Sequence, residues 1–241
     1  MASNKGMIVM NSAGNSGSSA WKYLIAPSDG IDVLAVGAVN SLKQIAPFSS
    51  YGPSSDNRVK PDIASVGWNT FLISTNGTVA QGNGTSFSNP NIAGLVACLW
   101  QAFPEFSNKE IIAAVRKSGD RYSNPDVRTG YGIPNMRLAY EILEKERNSI
   151  KAKGILKADR LRIYPNPMTD QFTIVYNGKT NGKLSVQLLS MDGKMIRNLS
   201  YDVLENEYYF FNVNGLGIQG SGQYILSYKD GIGAGTLKIM K

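Results

Sequence analysis

The 241 residues predict an α/β fold as far as about Arg147 and a small antiparallel, immunoglobulin-like β-sandwich after it. Three observations carry this reading. Short continuous apolar runs end in tight glycine loops, as buried parallel strands do. Behind them come apolar residues at helical spacing. Past Arg147 the texture changes to short strand-like runs at intervals of roughly ten residues, separated by turn signals. At roughly 150 residues per domain, the length suits two modest domains, or one large one.

The elements follow in chain order. "MIVM" (7–10) is an apolar run that stops at "NSAGNSG", and "DVLAVGAVN" (32–40) repeats the pattern. From Asn91 the residues Ile92, Leu95, Val96, Leu99 and Phe103 recur at helical spacing. Pro90 suits the first turn of that helix, where its missing N–H would be unpaired anyway. A long buried helix is therefore expected just behind Ser86. Ser107 and Glu110 have the spacing of a capping box and open a second helix through Ile111, Ile112 and Val115, while "PNMRLAYEILEKE" reads as a third. "RNSIKAKGILKADR" is basic and aperiodic, which gives domains at 1–147 and 161–241 with a linker over 148–160. In the second domain "QFTIVYNG", "LSVQLLSMDGKMIRN", "EYYFFNV" and "GQYILSYKDGIGAGTLKIMK" read as strands. Asp192-Gly193 and Asp230-Gly231 mark two of the hairpin turns.

Composition narrows the function. Hydrophobic residues at 42% against 18% charged give a chain that folds rather than one that stays disordered. The net charge of +7 is spread out, and its densest group, Lys151 to Arg162, falls in the expected linker, so no nucleic-acid partner is expected. The longest apolar stretch, Ile92 to Trp100, is roughly half of what a membrane span needs, so no transmembrane segment is expected. The first 17 residues contain no apolar segment of signal-peptide length. A single cysteine, Cys98 in "LVACLW", excludes an intramolecular disulfide and reads as a buried packing thiol.

The stretch with chemistry in it is "GNGTSFSNPNIAG" (82–94). A serine between small residues at a helix start is either a helix cap or a nucleophile. The helix end favours negative charge, and the Ser86 N–H is placed to donate to a substrate oxygen. That motif by itself leaves both readings open.

Six collinear segments add weight: "NSAGNSG" (11–17), "VLAVGAVN" (33–40), "FSSYGP" (48–53), "VKPDIASVG" (59–67), "GTSFSNPNIAGLVA" (84–97) and "GYGIPNMRLA" (130–139). In order and spacing they resemble the second half of the subtilisin-like serine protease catalytic domain. The resemblance implies a doubly wound parallel sheet, here truncated, with Ser86 as nucleophile and Asn15 as the side-chain donor to the oxyanion. Ala13 and Gly14 would line one wall of the specificity pocket, with the segment from Ile25 to Pro27 at its base, and Gly84 and Thr85 would let substrate approach. Pro61 and Asp62 read as structural. Phe87, Asn89 and Asn91 depart from the usual residues of the motif. The implied substrate is a polypeptide, with no cofactor, and the sequence does not give the calcium sites of the full-length enzyme.

The chain contains no histidine, and in this family aspartate and histidine precede the serine. The 241 residues alone are therefore expected to be inactive. A truncated or mis-started reading frame would account together for the missing signal peptide, aspartate and histidine. The other readings are half of a split enzyme and a non-catalytic exported surface or interaction protein derived from a decayed protease. Residues 1–147 are also expected to expose an apolar sheet edge and one side of the serine helix.

"YPNP" (164–167), Gly222 with Tyr224, and the basic ending Lys238 to Lys241 resemble the C-terminal sorting domain of type IX secretion cargo. That resemblance implies export to the surface or medium, with the type IX machinery and a sorting protease as partners.

Overall fold

The computed structural model describes residues 1–216, 218 and 221–241. It divides into two compact units, Met1–Glu144 and Lys145–Lys241.

In the first unit β1 (Val9–Ser12), β2 (Val33–Val39) and β3 (Ile63–Val66) form a parallel sheet in the order β1-β2-β3. Strand β2, at its centre, is buried along nearly its whole length, as a strand covered on both faces must be. A hairpin of β4 (Thr70–Ile73) and β5 (Val79–Gly82) follows, turning at Asn76-Gly77 with Gly77 in the left-handed region. The sequence reading passed over it, although Asn-Gly between apolar runs is a hairpin signal.

Three helices complete the α/β text: α1 (Thr85–Ala102), α2 (Asn108–Lys117) and α3 (Met136–Leu156). Helix α2 has the expected capping box, with the Ser107 hydroxyl accepting from the Glu110 N–H and the Glu110 carboxylate accepting from the Ser107 N–H. Helix α1 begins earlier than the proline suggested. Pro90 lies inside it, where the missing N–H would have donated to the Ser86 carbonyl one turn back. Ile92, Val96, Leu99 and Phe103 join Leu34, Val36 and Ile63 in the core.

Only one side of α1 is covered. Leu95 is 47% exposed and Pro90, Gly94 and Cys98 lie on the same open side. The buried-thiol reading of Cys98 is thus wrong. Its apolar neighbours in sequence belong to alternate faces of a half-buried helix, and a short run does not show which face a residue takes.

The second unit is a sandwich of antiparallel sheets. After β6 (Leu161–Tyr164), β7 (Phe172–Asn177), β8 (Gly182–Ser190), β9 (Met195–Val203), β10 (Tyr208–Val213), β11 (Gln223–Lys229) and β12 (Ala234–Met240), the orders are β10-β7-β6 and β12-β11-β8-β9. Asp192-Gly193 and Asp230-Gly231 do turn the β8–β9 and β11–β12 hairpins. Between the sheets lie Ile174, Tyr176, Leu184, Val186, Leu188, Leu226 and Ile239. Tyr201 of β9 stacks on Phe211 of β10 at 3.8 Å between ring centroids.

The segment expected to be an aperiodic linker is helical as far as Leu156. Ala152 and Leu156 are buried against Val175, while the Lys151 and Lys153 ammonium groups lie over the rings of Phe210 and Tyr208. Its apolar residues are few because one side of a short helical stretch needs only a small, regular contact. No helix among the described residues is long and apolar enough to cross a membrane.

Candidate active site

Two loops meet at the start of α1. The chain leaves β1 through Ala13, which is fully buried, with its N–H donating to the Val36 carbonyl at 2.9 Å. Gly14 comes next, in the left-handed region at φ 106°, and a Cβ there would stand 2.8 Å from the Ser50 hydroxyl. The turn therefore needs glycine, and it presents Asn15 at the surface.

Asn15 faces Thr85. Its Oδ1 accepts from the Thr85 N–H at 2.9 Å and from the Thr85 hydroxyl at 3.0 Å. The same hydroxyl accepts from the Gly14 N–H at 3.2 Å. With Oδ1 held by two donors, the amide can face only one way, and Nδ2 is turned outward. Thr85 is fully buried, so this clamp sits below the surface while Ser86 is exposed above it.

Ser86 is the second residue of α1. Its N–H belongs to the first turn, where no carbonyl precedes it to accept. Gly84 marks the space this leaves: a Cβ placed on it would lie 3.5 Å from Asn15 Nδ2 and 3.7 Å from the Ser86 nitrogen. Neither donor has a hydrogen-bond partner among the described residues. Glycine thus keeps open a space flanked by two N–H donors, one from each loop, at the positive end of a helix dipole. Such a space suits an oxygen that gains negative charge beside a serine hydroxyl.

The structure therefore brings together Gly14, Asn15, Gly84, Thr85 and Ser86, with Ala13 just behind. The residues that depart from the motif have their own surroundings. Asn91 Nδ2 donates to the Val66 carbonyl at 3.2 Å, and Phe87 packs over Gly82. Asn89 Oδ1 is buried with no partner among the described residues. Ile25 and Ala26 line a separate hollow of about 560 Å³ with Trp21, Tyr23 and Pro53.

Elsewhere in the first unit, Asp62 is 2% exposed. It accepts from the Ala35 N–H at 2.7 Å, from the Lys60 ammonium at 2.8 Å and from the Arg116 guanidinium at 2.6 Å. This is a structural clamp between the start of β2, the β3 approach and α2, and burial lowers the Lys60 pKa. Sequence reasoning identified Asp62 as structural but had no signal for Arg116 as its partner. Among the described residues no three His, Cys, Asp or Glu side chains gather into a metal-holding group.

A parallel sheet with a serine at the start of its covering helix, beside an asparagine amide turned toward the same space, is the arrangement of the subtilisin-like α/β fold. The model of the Subtilase family matches residues 1–133, more than half of the chain, and the chain belongs to that family. The model named Secretion system C-terminal sorting domain matches residues 162–241.

The chain is 34% identical over 132 residues to the Thermophilic serine proteinase of Bacillus sp. (strain AK1), covering 55% of this chain and 30% of that one. It is 34% identical over 138 residues to Subtilisin BL of Lederbergia lenta, covering 57% and 48%. The chain thus spans between about a third and a half of the length of these relatives. Among solved structures, that of the Prenylagaramide maturation protease PagA overlaps 58% of this chain and 51% of its own, at 23% identity and a TM-score of 0.49. By family the first unit is part of a subtilase domain.

Proposed function

We propose that this chain is part of a secreted subtilisin-like endopeptidase in which Ser86 is the nucleophile and Asn15 an oxyanion donor. The observation that supports it most is the clamp on Asn15. Thr85 holds Oδ1 with two donors, which aims Nδ2 at the same space as the Ser86 N–H. In acyl transfer the Ser86 oxygen attacks the scissile carbonyl carbon, and the carbonyl oxygen takes up negative charge between these two donors. Gly84 leaves room for that oxygen, and Ala13 and Gly14 stand where a wall of the substrate cleft would be.

The proton of the Ser86 hydroxyl has no imidazole to receive it, since the 241 residues contain no histidine. In this reading the chain alone is inactive, and activity needs an aspartate–histidine pair supplied by further polypeptide. The sorting domain directs the product to the cell surface or medium through type IX machinery, with removal by a sorting protease. The lack of histidine also favours a second reading, a non-catalytic exported surface or interaction protein.

A fluorophosphonate probe tests both. The 241-residue chain is expected to remain unlabelled, and to gain stoichiometric labelling at Ser86, abolished by Ser86→Ala, when the Asp- and His-bearing half of a close relative's domain is supplied. Stoichiometric labelling of the chain alone would overturn the inactivity. No labelling by a complemented chain whose assembly is shown independently would favour the non-catalytic reading.

A further inference from the structure

The second unit has a cavity that neither its sandwich core nor the peptidase reading explains. It lies where β6 and β12, each the outer strand of its sheet, come side by side near the end of α3, and measures about 640 Å³. That is within the range of pockets that hold small ligands, roughly 300–1,000 Å³.

Its chemistry is two-sided. Ile155, Ile163 and Leu237 are half-buried in its floor, and Tyr164, 59% exposed, stands at one side. The rim carries Lys157, Arg162 and Lys238 against one carboxylate, Asp159, which Arg162 Nε already holds at 2.5 Å. Neither lysine has an ion-pair partner among the described residues. With Arg162 paired to Asp159, the two lysines leave the lining with net positive charge, which favours an anion there.

Lys157 is informative in another way. It follows the last residue of α3 at φ 53°, a left-handed position where glycine or asparagine is the unstrained choice. The lysine at that position adds an ammonium to the lining of the cavity.

The geometry points to this cavity as a binding site for a small ring-borne oxyanion: a monosaccharide-sized ring carrying a carboxylate or phosphate. The oxyanion meets Lys157, Arg162 and Lys238, and the ring lies on Tyr164 and the apolar floor. A peptide strand is the poorer fit, because the β12 edge is already occupied. The Met168 N–H donates to the Met240 carbonyl at 2.7 Å, and Asn166 pairs with the Lys238 carbonyl and the Met240 N–H.

The test is a ¹H–¹⁵N NMR titration of the 241-residue chain with glucuronate, glucose 1-phosphate, inorganic phosphate and glucose. Both charged sugars are expected to shift the Ile163, Tyr164 and Lys238 amides, with the tighter of the two showing whether carboxylate or phosphate is preferred, and glucose is expected to shift nothing. Lys157→Asn with Lys238→Gln should weaken binding at least tenfold, since each charge-assisted contact is worth about a factor of ten. Tyr164→Ala should weaken the sugars and leave inorganic phosphate unchanged. All three side chains are exposed, and unchanged signals elsewhere in the spectrum confirm the fold. The proposal fails if neither charged sugar shifts those amides at about 10 mM. It fails equally if the double substitution leaves affinity unchanged, or if inorganic phosphate binds as tightly as the sugars and Tyr164→Ala has no effect.

Discussion

In the first unit β1 pairs with β2 on one side, and among the described residues no backbone bond reaches its other edge. In the second unit the end of the outer strand β12, at Lys238 and Met240, is bonded on its free edge by Asn166 and Met168. The same contrast recurs one layer up. Helix α1 leaves Leu95 and its neighbours uncovered, whereas the second half of α3 lays Ala152 and Leu156 onto Val175. Three pairings of the sandwich, β6–β7, β8–β9 and β11–β12, join strands adjacent in the chain, and β7–β10 and β8–β11 tie them into two sheets. A parallel sheet depends on distant crossovers for its neighbours and cover. The candidate site sits in the unit with the open edge, and the interactions that position Asn15 and Ser86 are therefore polar clamps between loops more than depth of core.

The largest expected effect comes from removing the buried carboxylate of the first unit. Asp62→Ala leaves the Lys60 ammonium, 2% exposed, with only the Val33 carbonyl for company, and deprives the Ala35 N–H of its acceptor. Breaking a buried ion pair in this way costs about 3–5 kcal/mol. Hydrogen exchange resolved by strand should show β2 and β3 losing protection while β7, β8 and β11 keep theirs. A loss below about 1 kcal/mol, or equal deprotection of both units, would break the contrast between them.

The sequence showed the strong periodicities. Ser107 with Glu110, the two Asp-Gly hairpins and the spacing from Asn15 to Ser86 were all legible, because each depends on residue types at fixed offsets. Faces were less legible. An open side of the serine helix was expected and Leu95 lies on it, but Cys98 read as buried because a short apolar run does not show which residue takes which face. Pro90 misplaced the helix start by obeying the usual preference for the first turn. The continuation of α3 through Leu156 was hidden by a sparse apolar side, and Arg116 as partner of Asp62 was hidden by 54 residues of separation. The Asn15 clamp was half legible: both residues were found, but the role of the Thr85 hydroxyl in aiming the amide needed coordinates.

A middle-sized effect tests the second unit by pH. In the second unit, burial pushes the Asp230 carboxyl up. Hydrogen bonds from the Tyr176 hydroxyl and the Ile232 and Gly233 N–H groups, with the charge of Arg160, outweigh it and leave the pKa lowered. A carboxyl whose folded pKa lies below its unfolded one binds more protons when unfolded. Its stabilisation is full above the ordinary aspartate value of about 4 and is lost as pH falls through the lowered folded value. Asp230→Asn should cost about 1–3 kcal/mol at neutral pH, by leaving the buried Tyr176 hydroxyl with a weaker acceptor, and should flatten the acid loss in the second unit. Strand-resolved exchange across pH 3 to 7 measures it. An unchanged acid slope in the variant would show that Asp230 is not the group that titrates.

The smallest effect is the sharpest test of the open face. Leu95 is 47% exposed on α1, and lysine has nearly the same helix propensity as leucine. If that face is bare in the isolated chain, Leu95→Lys should change stability by no more than about 0.5 kcal/mol. It should also reduce concentration-dependent association in sedimentation experiments, because a charge replaces an apolar contact on an uncovered patch. A loss above about 2 kcal/mol would mean that Leu95 is packed in solution. The first unit would then have found a cover of its own, and the difference between an open parallel sheet and a closed sandwich would vanish at the helix that carries Ser86.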